Sequence, residues 1–270
     1  MNRLEKEKVL KIIKEAIRED IGEGDITTDK IVPDYLSASG YFLLKERAVI
    51  SGLDVAKWVF EELGKIEFFK IVEEGEWVEP GNIAIVKGNA RVLLKGERVA
   101  LNFLQRMSGI STLTRMFVDR ISGTKAKILD TRKTTPNLRI LEKFAVKIGG
   151  GENHRFGLYD AVLIKDNHIA IAGGIKEALS KVKGEIEVKN IDELKEAIEN
   201  GAERVLLDNM SIDEIREAVK ICAGKVKIEV SGGVNLENVY EIAKTGCDYI
   251  SVGALTHSAK SIDISLELNV

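Results

Sequence analysis

Five short apolar runs decide the fold of this chain: AVLIK (161–165), EIEVK (185–189), RVLLD (204–208), KIEVS (227–231) and YISVG (249–253). Each carries a polar or charged residue at or near its end. With Lys165, Glu187, Asp208, Glu229 and Ser251 as markers, the successive gaps are 22, 21, 21 and 22 residues. One strand plus its return helix has about this length, and β-rich runs alternating with helical patterns predict parallel βα units. A sixth run, KILD, precedes them and ends at Asp130. Six strands are two short of an eightfold barrel, so the expectation is an incomplete βα (TIM-like) barrel. Active sites of βα barrels lie at the carboxyl ends of the strands. The five markers should therefore converge on one mouth.

Upstream the pattern changes. The opening MNRLEKEKVLKIIKEAIRED (1–20) places Leu4, Val9, Leu10, Ile13 and Ile17 on one helical face. It is charged throughout, which a signal peptide is not. The acidic stretch EDIGEGDITTD (19–29) lacks the spacing of a calcium loop and reads as a turn. Two β-like regions follow, 37–52 and 65–96, with a helical stretch, LDVAKWVFEELG (53–64), between them. Runs of strands and helices in this order are α+β and not βα repeats. EEGEWVEPGN has the shape of a carrier-domain turn. Such carriers need a lysine on a tight hairpin tip, and Lys87 is a poor fit to that requirement. One long helix covers 96–121. Its small residues Ser108, Gly109, Ser111 and Thr112 permit close backbone approach, to the barrel or to another subunit. The domain boundary falls in this helix: residues 1–108 form the first domain and 109–270 the barrel, with the last residues packing back on the first domain.

Composition narrows the class. Of 270 residues, 44% are hydrophobic and 31% charged, which suits a packed core in one large or two modest domains. No apolar run reaches membrane-spanning length, so no membrane association and a cytoplasmic location are expected. A net charge of −3 does not suggest nucleic-acid binding. Cys222 and Cys247 have no CxxC partner and read as buried thiols.

The chemistry concentrates at the strand ends. All three histidines, His154, His168 and His257, lie in or just beyond strand-end loops. Arg132, Lys133, Arg139, His154, Arg155 and Lys165 are placed to face the same mouth. A single such cation is usually a solvated surface charge. Several at consecutive strand ends predict a site for a polyanion, since arginine forks match carboxylate and phosphate. SGGVN (231–235) and SVGAL (251–255) add glycine turns at the last two strands, where barrels commonly dock phosphate. SGGVN is expected to open directly onto a helix whose amino terminus aids the anion. Glu187 and Asp208 suit sugar hydroxyls or Mg²⁺ held through water; the competing reading is salt bridges to the arginines. Glu185 shares a strand face with Glu187, and the spacing leaves open which reaches the mouth. Neither GxxxxGK[ST] nor a post-strand GxGxxG occurs. Together these features suggest a phosphorylated sugar and a carboxylated partner.

The segments AIREDIGEGDITT (16–28), GERVALNFLQRMSGIST (96–112), DTRKTTPNLR (130–139), GGGENHRFGLYDAVLIKDNH (149–168), LLDN (206–209), SGGV (231–234) and ISVGALTHSAKSIDISLEL (250–268) resemble the quinolinate phosphoribosyltransferases, also called carboxylating nicotinate-nucleotide pyrophosphorylases. The resemblance implies an amino-terminal α/β sandwich followed by the incomplete barrel, working as a homodimer or higher homo-oligomer. It implies transfer of phosphoribosyl from phosphoribosyl pyrophosphate to quinolinate with decarboxylation, using Mg²⁺. Arg132, His154, Arg155 and Lys165 would bind the quinolinate carboxylates, and Lys133 the pyrophosphate. Arg98 would enter from a neighbouring subunit. Glu187 and Asp208 would serve ribose and Mg²⁺ through water and substrate, with Lys133 and Lys165 also taking part in catalysis. Ser231, Gly232, Gly253 and His257 would hold the 5′-phosphate end. Two departures stand out: Lys189 replaces a third acid of the family's strand, and Asn137 replaces a turn glycine. The alternatives are a related phosphoribosyltransferase acting on nicotinate or another pyridine, a Schiff-base role for Lys165, and a non-catalytic phospho-ligand-binding barrel.

Overall fold

A computed structural model describes residues 4–269. In chain order the first elements are α1 (Lys6–Ile21), α2 (Thr28–Ile31), β1 (Ser37–Leu44), β2 (Ala48–Val49), α3 (Leu53–Leu63), β3 (Ile66–Lys70), β4 (Trp77–Val78), β5 (Gly81–Asn89) and α4 (Ala90–Arg120). Then come β6 (Lys127–Leu129), α5 (Arg139–Ile148), β7 (Leu163–Ile164), α6 (Asp166–Ala172), α7 (Ile175–Lys181), β8 (Glu185–Val188) and α8 (Ile191–Glu199). The chain closes with β9 (Arg204–Asp208), α9 (Ile212–Cys222), β10 (Lys227–Ser231), α10 (Val239–Lys244), β11 (Tyr249–Ser251), α11 (Ala254–His257) and β12 (Ile264–Asn269). These elements pack as two units. One comprises the described residues up to Arg115, Thr134–Gly150 and the stretch from Ser258; the other comprises Met116–Lys133 and Gly151–His257.

The first unit is built on a four-stranded sheet of order β12-β1-β5-β3, its neighbours antiparallel. Alternate residues of β1 are buried, the period expected of a sheet with one covered face. Phe42 on β1 meets Phe60 of α3 edge-on at 6.2 Å and Phe68 of β3 at 5.8 Å. Val9 and Ile13 of α1 are fully buried, the apolar stripe of an amphipathic helix. The acidic stretch before α2 is a turn: the Asp25 carboxylate accepts the Thr27 and Thr28 amides at 3.0 and 2.9 Å.

Helix α4 differs from its expected extent. The run RVLLKG, read as β-like, is helical, and β5 passes straight into α4. Asn89 supplies the switch, its Oδ1 accepting the Arg91 amide at 2.9 Å, a side-chain bond that nucleates a helical first turn. The small residues of α4 receive segments of the same chain. Ser111 Oγ donates to the Val49 carbonyl at 2.6 Å, and Thr112 Oγ1 accepts the Val49 amide at 2.9 Å. A Cβ at Gly109 would lie 1.9 Å from the Lys260 carbonyl oxygen.

The second unit is a parallel sheet of order β6-β11-β10-β9-β8-β7, and its strands coincide with the six runs read from the sequence. β6 and β7 occupy its two edges, and a parallel bridge from Leu129 to Glu152 extends the β6 side. The barrel is thus incomplete. All four residues of β8 are buried, as expected of parallel strands covered on both faces. The register sets Asp208 level with Ser231, and Glu187 level with Leu206. Two return helices begin where the sequence supplies caps: Asn190 accepts the Glu193 amide, and Ser211 with Glu214 forms a capping box. The expected helix directly after SGGVN is displaced. Asn235 Oδ1 accepts the Glu237 and Asn238 amides and forms a turn, so α10 starts only at Val239. Cys222 and Cys247 are both buried and unpaired with each other. No described helix is long and apolar enough to cross a membrane.

Candidate active site

The carboxyl ends of the parallel strands surround a cavity of about 810 Å³, within the usual range for small-molecule sites. Lys165, Glu187, Asp208, Glu229 and Ser251 all line it, one from each of the five spaced runs. Arg132, Lys133, His154 and Arg155 join them from the loops after β6 and before β7. Ser231, Gly232, Gly253 and His257 complete the set from the last two strands. Four arginine or lysine side chains therefore face one opening in a chain of net charge −3.

Several expected members lie elsewhere. Arg139 begins α5, where its Nε donates to Thr134 Oγ1 at 2.9 Å, and it does not line the cavity. Arg139 falls outside the mouth because it is nine residues beyond Asp130, past a loop and onto a helix. Arg98, expected to enter a neighbouring subunit's site and not this one, is exposed on α4. His168 sits in the first turn of α6, its Nδ1 accepting the Lys165 amide at 2.9 Å, so it shapes the helix start. Lys189 is exposed and pairs with Asp166 at 3.1 Å. Asn137 takes φ 66°, the left-handed backbone a glycine would supply.

The lining groups are held by identifiable contacts. Lys165 Nζ lies 2.8 Å from Glu187 Oε2, which joins the ends of β7 and β8. The Lys133 carbonyl accepts Thr256 Oγ1 at 2.8 Å. Arg155 donates from its guanidinium to the Ala161 carbonyl at 3.2 Å. Burial, and then the charge of Arg132, lower the pKa of Arg155. Gly232 adopts φ 97° and Gly233 φ 61°, so this turn presents backbone amides in a conformation that favours glycine.

Of the two glutamates on β8, Glu187 lines the cavity and Glu185 does not. Glu185 lies deeper, in an ion cluster with His154, Arg204 and Glu229. His154 Nε2 is 3.1 Å from Glu185 and 3.5 Å from Glu229, while Arg204 Nε is 2.9 Å from Glu185 and its terminal nitrogen pairs with Glu229. Burial opposes charge on His154, yet its bonds to the two carboxylates outweigh it and push the imidazole to about 9. Nδ1 pulls the other way, because it accepts the Arg155 amide at 2.7 Å. With Nδ1 taken up by that amide, Nε2 is the ring nitrogen left to face the carboxylates, Glu185 being the nearer.

Two participants were not singled out from the sequence. Asn209 lines the cavity at φ 56°, its amide donating to the Ser231 carbonyl at 2.9 Å. Arg204 opens β9 and points its charge inward. The available signal was the period of two, which puts Arg204 on the same strand face as Asp208.

A mouth of this kind marks a barrel that handles small, phosphorylated, multiply anionic molecules. Residues 25–108 match the description "Quinolinate phosphoribosyl transferase, N-terminal domain", and residues 110–267 match "Quinolinate phosphoribosyl transferase, C-terminal domain". The chain belongs to the quinolinate phosphoribosyltransferase family. It is 45% identical to a probable carboxylating nicotinate-nucleotide pyrophosphorylase of Methanocaldococcus jannaschii, over 97% of this chain and 98% of the relative. A carboxylating nicotinate-nucleotide pyrophosphorylase of Mycobacterium leprae is 43% identical over 95% of each chain. Among solved structures, the nicotinate-nucleotide pyrophosphorylase from Francisella tularensis superposes with a TM-score of 0.94 at 42% identity, covering 99% of this chain and 98% of that one.

Proposed function

We propose that the protein transfers the phosphoribosyl group of phosphoribosyl pyrophosphate to quinolinate, releasing CO₂ and pyrophosphate and forming nicotinate mononucleotide. The observation that carries this reading is one cavity lined by Arg132, Lys133, Arg155 and Lys165 together with the glycine turns at 231–233 and 251–253. Those cations suit a dicarboxylate and a pyrophosphate, and the turns suit a 5′-phosphate.

In this reading Arg132, His154, Arg155 and Lys165 serve the dicarboxylate end, and Lys133 meets the leaving pyrophosphate. Ser231, Gly232, Gly253 and His257 hold the sugar phosphate. The pyridine nitrogen forms a bond to C1 of the ribose as the bond from C1 to pyrophosphate oxygen breaks. The basic groups stabilise the departing charge, and preorganised electrostatics of this sort is usually the largest catalytic contribution. The ring is then a pyridinium. The carboxylate beside its nitrogen leaves as CO₂, because the electron pair left on carbon is stabilised by the adjacent positive charge. A proton from solvent completes the product. A substrate carboxylate arriving at Lys165 competes with Glu187 for the ammonium and releases Glu187 toward the ribose.

Glu187 and Asp208, hard oxygen donors at the ends of neighbouring strands, fit Mg²⁺ held through water and substrate oxygens. The ion, when bound, would neutralise pyrophosphate charge. Arg98 would reach a neighbouring subunit's site in a homodimer or larger assembly; its exposure on α4 supports this role.

The test is product analysis with quinolinate carrying a label in the carboxylate next to nitrogen. One labelled CO₂ should appear per pyrophosphate, and retention of label in the product rejects the assignment. Glu187→Ala or Asp208→Ala should lower turnover by about 10²-fold or more if these charges act in the transition state; undiminished turnover would favour a salt-bridge role.

A further inference from the structure

Barrel interiors are ordinarily filled by branched aliphatic side chains. At and below the lining of this cavity the layer is charged instead. Glu185 and Glu229 are 7% and 0% exposed, and Arg204 lies between them with its guanidinium over the Tyr249 ring at 4.1 Å. Ser251 Oγ donates to Glu229. Replacing a buried ion cluster by well-packed apolar residues is often neutral or stabilising, so stability alone does not account for this one.

What the cluster touches gives it a use. Two carboxylates face one guanidinium, which leaves one negative charge for His154 Nε2, at 3.1 Å from Glu185. The other ring nitrogen accepts the Arg155 amide, and Asp130, fully buried, accepts the His154 amide at 2.9 Å. His154 is thus fixed by its main chain and by both nitrogens, and the main chain of Arg155 is fixed through it. His154 Nε2 and one oxygen from each of Glu185 and Glu229 lie within 4.8 Å of one another, a spacing that could hold a metal ion, but the Arg204 guanidinium already supplies the cation there.

We propose that Glu185, Glu229 and Arg204 are positioning residues for the dicarboxylate end of the cavity: they lock the His154 ring, and through it aim Arg155. The inference rests on the quinolinate reading.

The test compares Glu185→Gln, Glu185→Ala and the paired Glu185→Leu/Arg204→Met, which exchanges part of the cluster for apolar volume. Steady-state kinetics gives the KM for quinolinate and for phosphoribosyl pyrophosphate separately. Calorimetric titration with phthalate, an unreactive aromatic dicarboxylate, reads the same end without turnover, and thermal unfolding reports the fold. We expect Glu185→Ala and the paired variant to raise the quinolinate KM and the phthalate Kd by about tenfold, the weight of one charge-assisted hydrogen bond. The KM for phosphoribosyl pyrophosphate should stay within about twofold. Glu185→Gln, which keeps an acceptor for Nε2–H, should recover most of the loss. A folded paired variant with unchanged phthalate affinity overturns the proposal, as does an equal rise in both KM values. Parent protein that binds phthalate but releases no CO₂ from quinolinate sinks the functional reading instead, while the phthalate comparison still decides the positioning role.

Discussion

At Gly232 the backbone takes φ 97°, and a Cβ there would fall 2.1 Å from Asn209 Oδ1 and 3.0 Å from the Asn209 amide nitrogen. Holding a side chain in sparsely populated backbone costs on the order of 1–3 kcal/mol, and the clash adds to that. Gly233 next to it, at φ 61°, has nothing within 4 Å of the same position. We expect Gly232→Ala to raise the KM for phosphoribosyl pyrophosphate by about tenfold or more, and Gly233→Ala to raise it less. Kinetics on both variants checks this, and equal effects would mean that the packing against Asn209 is unimportant. That Lys165, Glu187, Asp208, Glu229 and Ser251 share one cavity was readable from their spacing, because parallel βα units bring every strand end to one face. Asn209 was less readable, since its contribution is a left-handed backbone and one amide bond to Ser231. The choice between Glu185 and Glu187 also needed the structure: a period of two puts both on one face, and only depth along the strand separates them.

Among the elements, β10 and β11 are tied at their amino ends by Asp248. Its carboxylate accepts the Ile228 amide at 3.0 Å and pairs with Lys227 and Lys125 at 3.0 and 3.2 Å. Burial acts to raise its pKa, but the amide bond and the two ammonium groups outweigh that and hold it below the usual 3.8. A depressed carboxylate pKa contributes stability above its unfolded value, and that contribution is lost as pH falls through the folded value. Asp248→Asn should therefore cost about 1–2 kcal/mol at neutral pH. The gap between variant and parent should narrow below the ordinary Asp value, near pH 3.8. Urea unfolding at pH 7, 4 and 3 measures this, and a gap independent of pH removes the carboxylate from the account. Element type was legible wherever the apolar period was long: α3 and the six parallel strands lie where the pattern put them. It failed at RVLLKG, where five apolar or basic residues fit either period and the side chain of Asn89 decides. It failed again after SGGVN, where Asn235 turns the chain before α10 can start.

At the scale of the whole chain, the first unit is discontinuous in sequence. β12, the last strand, completes the sheet beside β1, with six residue pairs from Ser39↔Asn269 to Leu44↔Ile264. The entire parallel sheet is encoded between these two neighbours. Hydrophobic pattern shows that both segments are strand-like, but pairing across such a separation leaves no local mark in sequence, which is why the sheet's order was less legible than the barrel's. The consequence is testable by truncation after Asp263. Ile264 and Leu266 are 2% and 7% exposed, and burying such side chains contributes about 1.5–3 kcal/mol each. Ladder hydrogen bonds add about 0.5–1.5 kcal/mol apiece, for a total on the order of 5–10 kcal/mol. That matches the whole stability of a typical domain, about 5–15 kcal/mol. Loss of β12 would also leave β1 as an unpaired edge open to other chains. Residues 1–263 should accordingly be recovered as aggregate, or lose the cooperative unfolding transition of the first unit. Size-exclusion chromatography and thermal circular dichroism distinguish these outcomes from the contrary one. A monodisperse product melting at the parent temperature would show that the sheet is stable on three strands and that its closure by the carboxyl terminus is dispensable.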